Sequence, residues 1–116
     1  MRPILRKRSE AVVRGEGTDY VIHNYITKEN SRNASVAVSV LRGKLWKTMN
    51  RISDRVYYII EGKGRFIFDK EELEADAGDM IYVPAGTPYK IEGHFKAVLV
   101  NAPPFSVENE EQLSDR

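Results

Sequence analysis

His23 and His94 are the only imidazoles of the chain, and there is no cysteine. Thiol nucleophiles, disulfides, iron–sulfur clusters and cysteine-ligated zinc are therefore excluded together. No Ser-His-Asp arrangement, phosphate-cradling glycine loop or HExxH helix is present, so the usual signatures of acyl transfer, nucleotide hydrolysis and zinc proteolysis are missing. The chain offers arginine and tyrosine instead, with Arg51 and Arg55 close in sequence and Tyr57, Tyr82 and Tyr89 after them. A guanidinium is a permanent cation whose forked donors match carboxylate or phosphate, and a phenol both donates and accepts hydrogen bonds. Those groups suit a small anionic or hydroxylated ligand. The competing role for Tyr57, Tyr58, Tyr82 and Trp46 is packing, because aromatic residues in strands ordinarily fill cores or interfaces.

The charge balance narrows the partners. Eighteen basic residues face 17 acidic ones, so there is no general attraction to phosphate backbones or anionic lipid, and neither nucleic acid nor membrane is an expected partner. No apolar run approaches the roughly 18 residues needed to cross a bilayer, and the start MRPILRKRSE lacks the apolar stretch of a secretory signal, which places the protein in the cytoplasm as an expectation. Arg2, Arg6, Lys7, Arg8 and Arg14 crowd one end, while Glu108, Glu110, Glu111 and Asp115 crowd the other. The two ends are read as solvated termini that can also meet, within one chain or between two.

The elements that must hold such a site are short strands. With 116 residues, 41% apolar and 30% charged, the chain has the size and apolar content of one folded domain. Tyr20 to Ile26, Val36 to Leu41, Val56 to Ile60, Phe66 to Phe68, Met80 to Val83 and Lys96 to Val100 are rich in β-branched and aromatic residues. Glycine, proline and asparagine fill the segments between, including Glu61-Gly62-Lys63-Gly64, expected as a turn. Strands at this spacing predict an all-β sandwich or barrel. Against that pattern, Leu45, Met49, Ile52 and Val56 fall at helical intervals and predict a helix, and Glu71 to Ala75 has the composition of a helical turn.

Gly43, Gly62, Gly78, Pro84 and Gly86 keep the spacing of two glycine- and proline-framed motifs, most specifically in VYYIIEGKGRFIF and GDMIYVPAGTPY. In this frame, over roughly residues 36 to 100, the chain resembles the cupin family of small β-barrels. The resemblance implies a double-stranded β-helix (jelly-roll) barrel as a single domain over residues 1–116, with an N-terminal strand arm, an acidic C-terminal tail and a homodimeric assembly. Where metal-binding cupins carry two His, a Glu and a third His, this chain has Met49, Arg51, Arg55 and Tyr89. A guanidinium has no lone pair to donate, so no metal and no other cofactor is expected.

Taking the first motif's spacing as it stands, the resemblance places Met49, Arg51, Arg55 and Tyr57 inside the barrel, with Tyr89 on the opposite wall and Met80 and Tyr82 beside it. A shift of one residue turns Thr48 and Asn50 inward instead. Arg51 and Arg55 then either form an anion site or pair with Asp54, Glu61 or Glu92. The expected function is metal-independent binding of a small anionic or sugar-like molecule. The alternatives are a metal-free isomerase or epimerase of a sugar-derived substrate, with Tyr89 as acid and His94 or Glu92 as base, and a metal-dependent enzyme with rearranged ligands.

Overall fold

The computed structural model describes residues 2–114; Asp115 of the acidic tail lies outside the described residues. Nine strands follow in chain order: β1 Val12–Arg14, β2 Tyr20–Ile26, β3 Ser35–Lys44, β4 Thr48–Asn50, β5 Asp54–Ile67, β6 Glu72–Asp76, β7 Met80–Val83, β8 Lys90–Ala102 and β9 Glu110–Gln112. The main sheet runs β1-β2-β3-β8-β5-β6, with β7 also on β5, and β4 pairs with β9 in a small second sheet. The pairs are antiparallel, so the period of two along each strand sorts side chains to the inside or the outside of the barrel.

Register stacks the inward residues into layers. Ser35, Asn101 and Arg55 form one layer across β3, β8 and β5, Ala37, Leu99 and Tyr57 the next, and Ser39, Ala97 and Ile59 the third. The deeper layers are apolar, with Leu41, Ile59, Phe66, Ala75, Ile91 and Ala97 fully buried. The polar layer caps this core at the opposite end of the strands. Ser39 is the exception, a buried hydroxyl without a partner.

The segment Glu61 to Gly64, expected as a turn, lies inside the continuous strand β5. An extra residue between Ile59 and Glu61 breaks the register with β8, and the strand bends there rather than reversing. Ile59 N–H donates to Asp79 O and Ile59 O accepts from Gly78 N–H, so the loop before β7 satisfies the bulge. Gly62 has φ +87°, and a Cβ on it would come within 2.1 Å of His94 O. Gly93 repeats the constraint from the other strand, with φ +142° and room for no Cβ, which would come within 2.3 Å of Lys63 O. These glycines let two backbones cross closely, which turns the sheet into a barrel corner.

Both helical expectations are corrected. Leu45 is buried and Ile52 is 52% exposed, so the apolar stripe faces no single environment. Asn50 Oδ1 accepts from the backbone N–H groups of Ile52 (3.0 Å) and Ser53 (2.6 Å), a local turn that competes with a helix. The remaining backbone bonds come from far along the chain, where Glu110 to Gln112 pair with Thr48 to Asn50. Glu72 to Asp76 likewise extends against β5, setting Glu74 opposite Arg65 and Asp76 opposite Lys63.

Candidate functional site

Arg55 carries the polar layer. Its side chain is buried, and its Nε donates to Asn101 Oδ1 at 2.6 Å. Nη1 donates to the Tyr89 hydroxyl at 2.9 Å and to Glu110 Oε2 at 3.0 Å, while Nη2 donates to Glu110 Oε1. Glu110 arrives on β9 and accepts also from Thr48 Oγ1 at 2.6 Å and Asn50 Nδ2 at 3.0 Å. The carboxylate is thus saturated with four hydrogen bonds, and four of the five guanidinium N–H groups are used.

The Tyr57 and Tyr89 hydroxyls lie 2.6 Å apart, and both rings are almost fully buried. Tyr89 oxygen also accepts from Arg55, and either phenol can donate in the bond between the two hydroxyls. Arg55, Tyr89 and Tyr57 therefore form one hydrogen-bonded chain that reaches the barrel interior. Each link polarises the next, so the three groups hold one another in place. Burial, reinforced by the neighbouring Tyr89 and Tyr20, pushes the Tyr57 phenol well above its ordinary range. Burial also raises Tyr89, although Arg55 and the bond to Tyr57 act against it. Both are neutral donors at physiological pH.

Tyr57 opens on a cavity of about 390 Å³ at the capped end of the barrel. Tyr20, Ile22 and Asn24 of β2 form one wall, Leu99 and Asn101 another, and Leu45 and Trp46 a third, with Phe105 and Val107 at the mouth. Ser35 Oγ accepts from Phe105 N–H at 2.8 Å and so holds that ring in place. No hydrogen bond among the described residues engages the Tyr20 hydroxyl, whose pKa is pushed up by burial and then by Tyr89. The cavity is thus a largely apolar box with phenol hydroxyls and two asparagines on its walls, the usual make-up of a small-molecule site.

The sequence-predicted residues divide by strand phase. Arg55, Tyr57 and Tyr89 are buried together, with Arg55 and Tyr57 on the cavity wall and Tyr89 behind them. Met49 is half-buried and Arg51 exposed, because Thr48 and Asn50 take the inward positions of β4. Arg51 instead donates to Glu111 Oε1 at 2.6 Å and to Glu108 O on the surface. Tyr82 and Met80 are 57% and 61% exposed, since Arg55 and Tyr57 face Val83 and Ile81 in register and a one-residue difference in phase turns the neighbours outward. Neither arginine meets Asp54, Glu61 or Glu92, and each is paired with the tail. His94 is exposed and Glu92 pairs with Arg65 at 2.6 Å, while the Tyr89 hydroxyl contacts Arg55 and Tyr57. Among the described residues no hydrogen bond joins Tyr89 to the acid–base partners expected for it.

A family model for the cupin domain matches residues 51–102. The uncharacterized protein MJ1618 of Methanocaldococcus jannaschii is 33% identical over 97 residues, covering 80% of this chain and 78% of that protein. The chain belongs to the cupin family. Among solved cupin-like structures, Pac13 of Streptomyces, described as a unique nucleoside dehydratase, superposes with TM-score 0.87 at 23% identity over 98% of this chain and 93% of its own. A Pac13 variant was solved with uridine. Ectoine synthase from P. lautus superposes with TM-score 0.79 at 14% identity, covering 98% and 92%. At these identities the likeness concerns the fold.

The metal of many cupins does not fit this one. Among the described residues no three His, Cys, Asp or Glu side chains gather into a possible metal site. The position facing the barrel holds the Arg55 guanidinium, already neutralised by Glu110, with Thr48 and Asn50 beside it. A divalent cation there would meet a fixed positive charge and weak neutral donors.

Sequence reasoning missed Glu110, Tyr20 and Asn101. The one-residue shift at Thr48 and Asn50 was readable from β4, and strand phase would have found Asn101. Glu110 gave no local signal, because its role depends on a tail that folds back across about 55 residues.

Two outcomes follow. Glu110→Gln should cost about 3 kcal/mol in denaturant unfolding, because it leaves a buried cation without a counter-charge, whereas the double change Arg55→Met with Glu110→Leu should stay within about 1–2 kcal/mol of wild type. Costs that simply add would contradict the pairing. The phenols set a second expectation. Their folded pKa values lie above the unfolded value of about 10, so the native state keeps protons that the unfolded chain loses, and stability is intact below about pH 10 and falls above it. Phenolate absorbance followed through an alkaline titration should show Tyr20, Tyr57 and Tyr89 ionising only as the barrel unfolds, and Tyr→Phe variants at these positions should lose that late phase.

Proposed function

We propose that this cupin binds one small ring compound of the sugar or nucleoside class without a metal. The observation that carries the reading is the hydrogen-bonded chain of Arg55, Tyr89 and Tyr57, which fixes the Tyr57 phenol at the wall of a cavity of about 390 Å³. Tyr57 and Tyr20 are placed to donate to hydroxyl or carbonyl oxygens, and Trp46, Leu99 and Phe105 offer apolar surface to a ring. Uridine, bound by the similarly folded Pac13, is accordingly the first compound to try. Binding is favoured over turnover because the cavity's described lining holds no histidine and its carboxylate, Glu110, accepts four hydrogen bonds. A proton-abstracting base needs a free lone pair.

The reading extends to a homodimer through the N-terminal arm and the outer sheet face. Met80, Tyr58, Val98, Val38, His23 and Val13 lie side by side in register from β7 to β1, and Tyr82, Val56, Val100 and Val36 form the next row. An apolar outer face of this extent is uncommon on a monomer, and β1 ends the sheet with Val12 63% exposed. The expected exchange of opposite termini between copies is revised, because Glu110 and Glu111 already pair with arginines of their own chain.

Calorimetric titration of uridine, glucose and ribose should give saturable binding of at least one, unaffected by EDTA and lost in Tyr57→Phe with Tyr20→Phe. The same mixtures followed by NMR in D₂O should show no exchanged or missing ligand proton. No binding, or binding that requires a metal, would refute the reading. Light scattering should return about twice 13.3 kDa, and Val98→Glu should return the monomer mass; a monomeric wild type at high micromolar concentration would remove the dimer.

A further inference from the structure

We infer that the ligand's ring carries one anionic group, a phosphate monoester or a carboxylate, which rests on Arg14 at the cavity mouth while the ring occupies the barrel. This rests on the cavity being a ligand site, and adds the charge of the ligand and the way it points.

The charged residues on the cavity wall are Arg14, Arg55 and Glu110. Arg55 and Glu110 form a closed ion pair, so they cancel, and the single charge left facing the cavity is that of Arg14. Arg55 is thereby disqualified as the anion site, having one N–H to spare and no net field to offer. Arg14 is the last residue of β1 and stands opposite Ile22 in register, which turns it to the cavity side of the sheet. Among the described residues no carboxylate forms an ion pair with it.

Its guanidinium lies over the Phe105 ring, 5.1 Å from the centroid. A guanidinium held over an aromatic ring is positioned by it while N–H groups remain to meet a carboxylate or phosphate through charge-assisted hydrogen bonds. Phe105 is itself anchored by Ser35, so the cation rests on a fixed platform. Arg14 and Tyr20 line the same cavity of about 390 Å³, which places mouth cation and wall phenol within the span of one small molecule. Arg14 is also exposed. An anion bound there keeps part of its hydration, avoiding the desolvation cost that a second charge beside buried Arg55 would meet.

Matched pairs test the inference: uridine against uridine 5′-monophosphate, and glucose against glucose 6-phosphate and glucuronate, titrated into wild type, Arg14→Gln and Arg14→Lys. The charged member of at least one pair should bind about tenfold tighter than its neutral parent at low salt. The gap should narrow as salt rises, close to within about twofold in Arg14→Gln, and survive in part in Arg14→Lys. Equal binding of neutral and charged members to wild type, or a gap that persists in Arg14→Gln, would overturn the inference while leaving the ligand site standing. Inorganic phosphate binding as tightly as the monophosphates would overturn the part given to the ring. Absence of binding by every compound would overturn the inference together with the reading beneath it.

Discussion

A guanidinium buried inside a small barrel has to be neutralised, and in this cupin the neutralising group is brought from the far end of the chain. Arg55 is held by Glu110 on one side and by Asn101 and Tyr89 on the other. The consequences spread outward from that requirement. Glu110 needs further donors, so Thr48 and Asn50 turn inward. Its strand β9 must then lie along β4, and the tail closes one side of the cavity. Tyr89, fixed by Arg55, fixes Tyr57 in turn. Replacing either member of the ion pair alone strands its partner in a low-dielectric site, which is why the arrangement behaves as a unit.

The same pair stands where many cupins hold a metal. A metal ion gathers several ligands and orients them; the guanidinium gathers acceptors instead, and in doing so fixes two phenols at the side of the cavity. Geometry of this kind is stiff, because each member is satisfied by its neighbours and none rotates without losing a bond. The site is accordingly a set of positioned hydroxyl and amide groups on apolar walls, with its electrostatics settled by the fold itself.

The far half of the barrel exists to make that possible. Close crossing at Gly62 and Gly93 and the bulge after Ile59 bend β5 between two edge partners, β7 before the bend and β6 after it. One long strand therefore contributes Arg55 and Tyr57 to the site and Phe66 to the core. The apolar layers beneath are filled by β-branched and aromatic residues, leaving the cavity at the other end.

The amino-acid sequence determined the family frame, the β class and most strand positions, with β2 and β7 matching to the residue. Those features are local: β-branched alternation and turn residues act over a few positions. It also determined what the site lacks, since no histidine or cysteine stands at the motif positions and an arginine does. Only the tertiary structure decided which face of each strand looks inward. Arg51 and Arg55 are equivalent as residue types, and so are Tyr57 and Tyr82, yet in each pair one is buried in the barrel wall and the other is exposed. A shift of one residue in register exchanges them, and register is set by pairings between distant strands. The tail illustrates the same limit. Nothing near Glu110 distinguishes it from Glu108 or Glu111, and it becomes the counter-charge of the site because a chain that buries Arg55 must supply a carboxylate from wherever the fold can bring one.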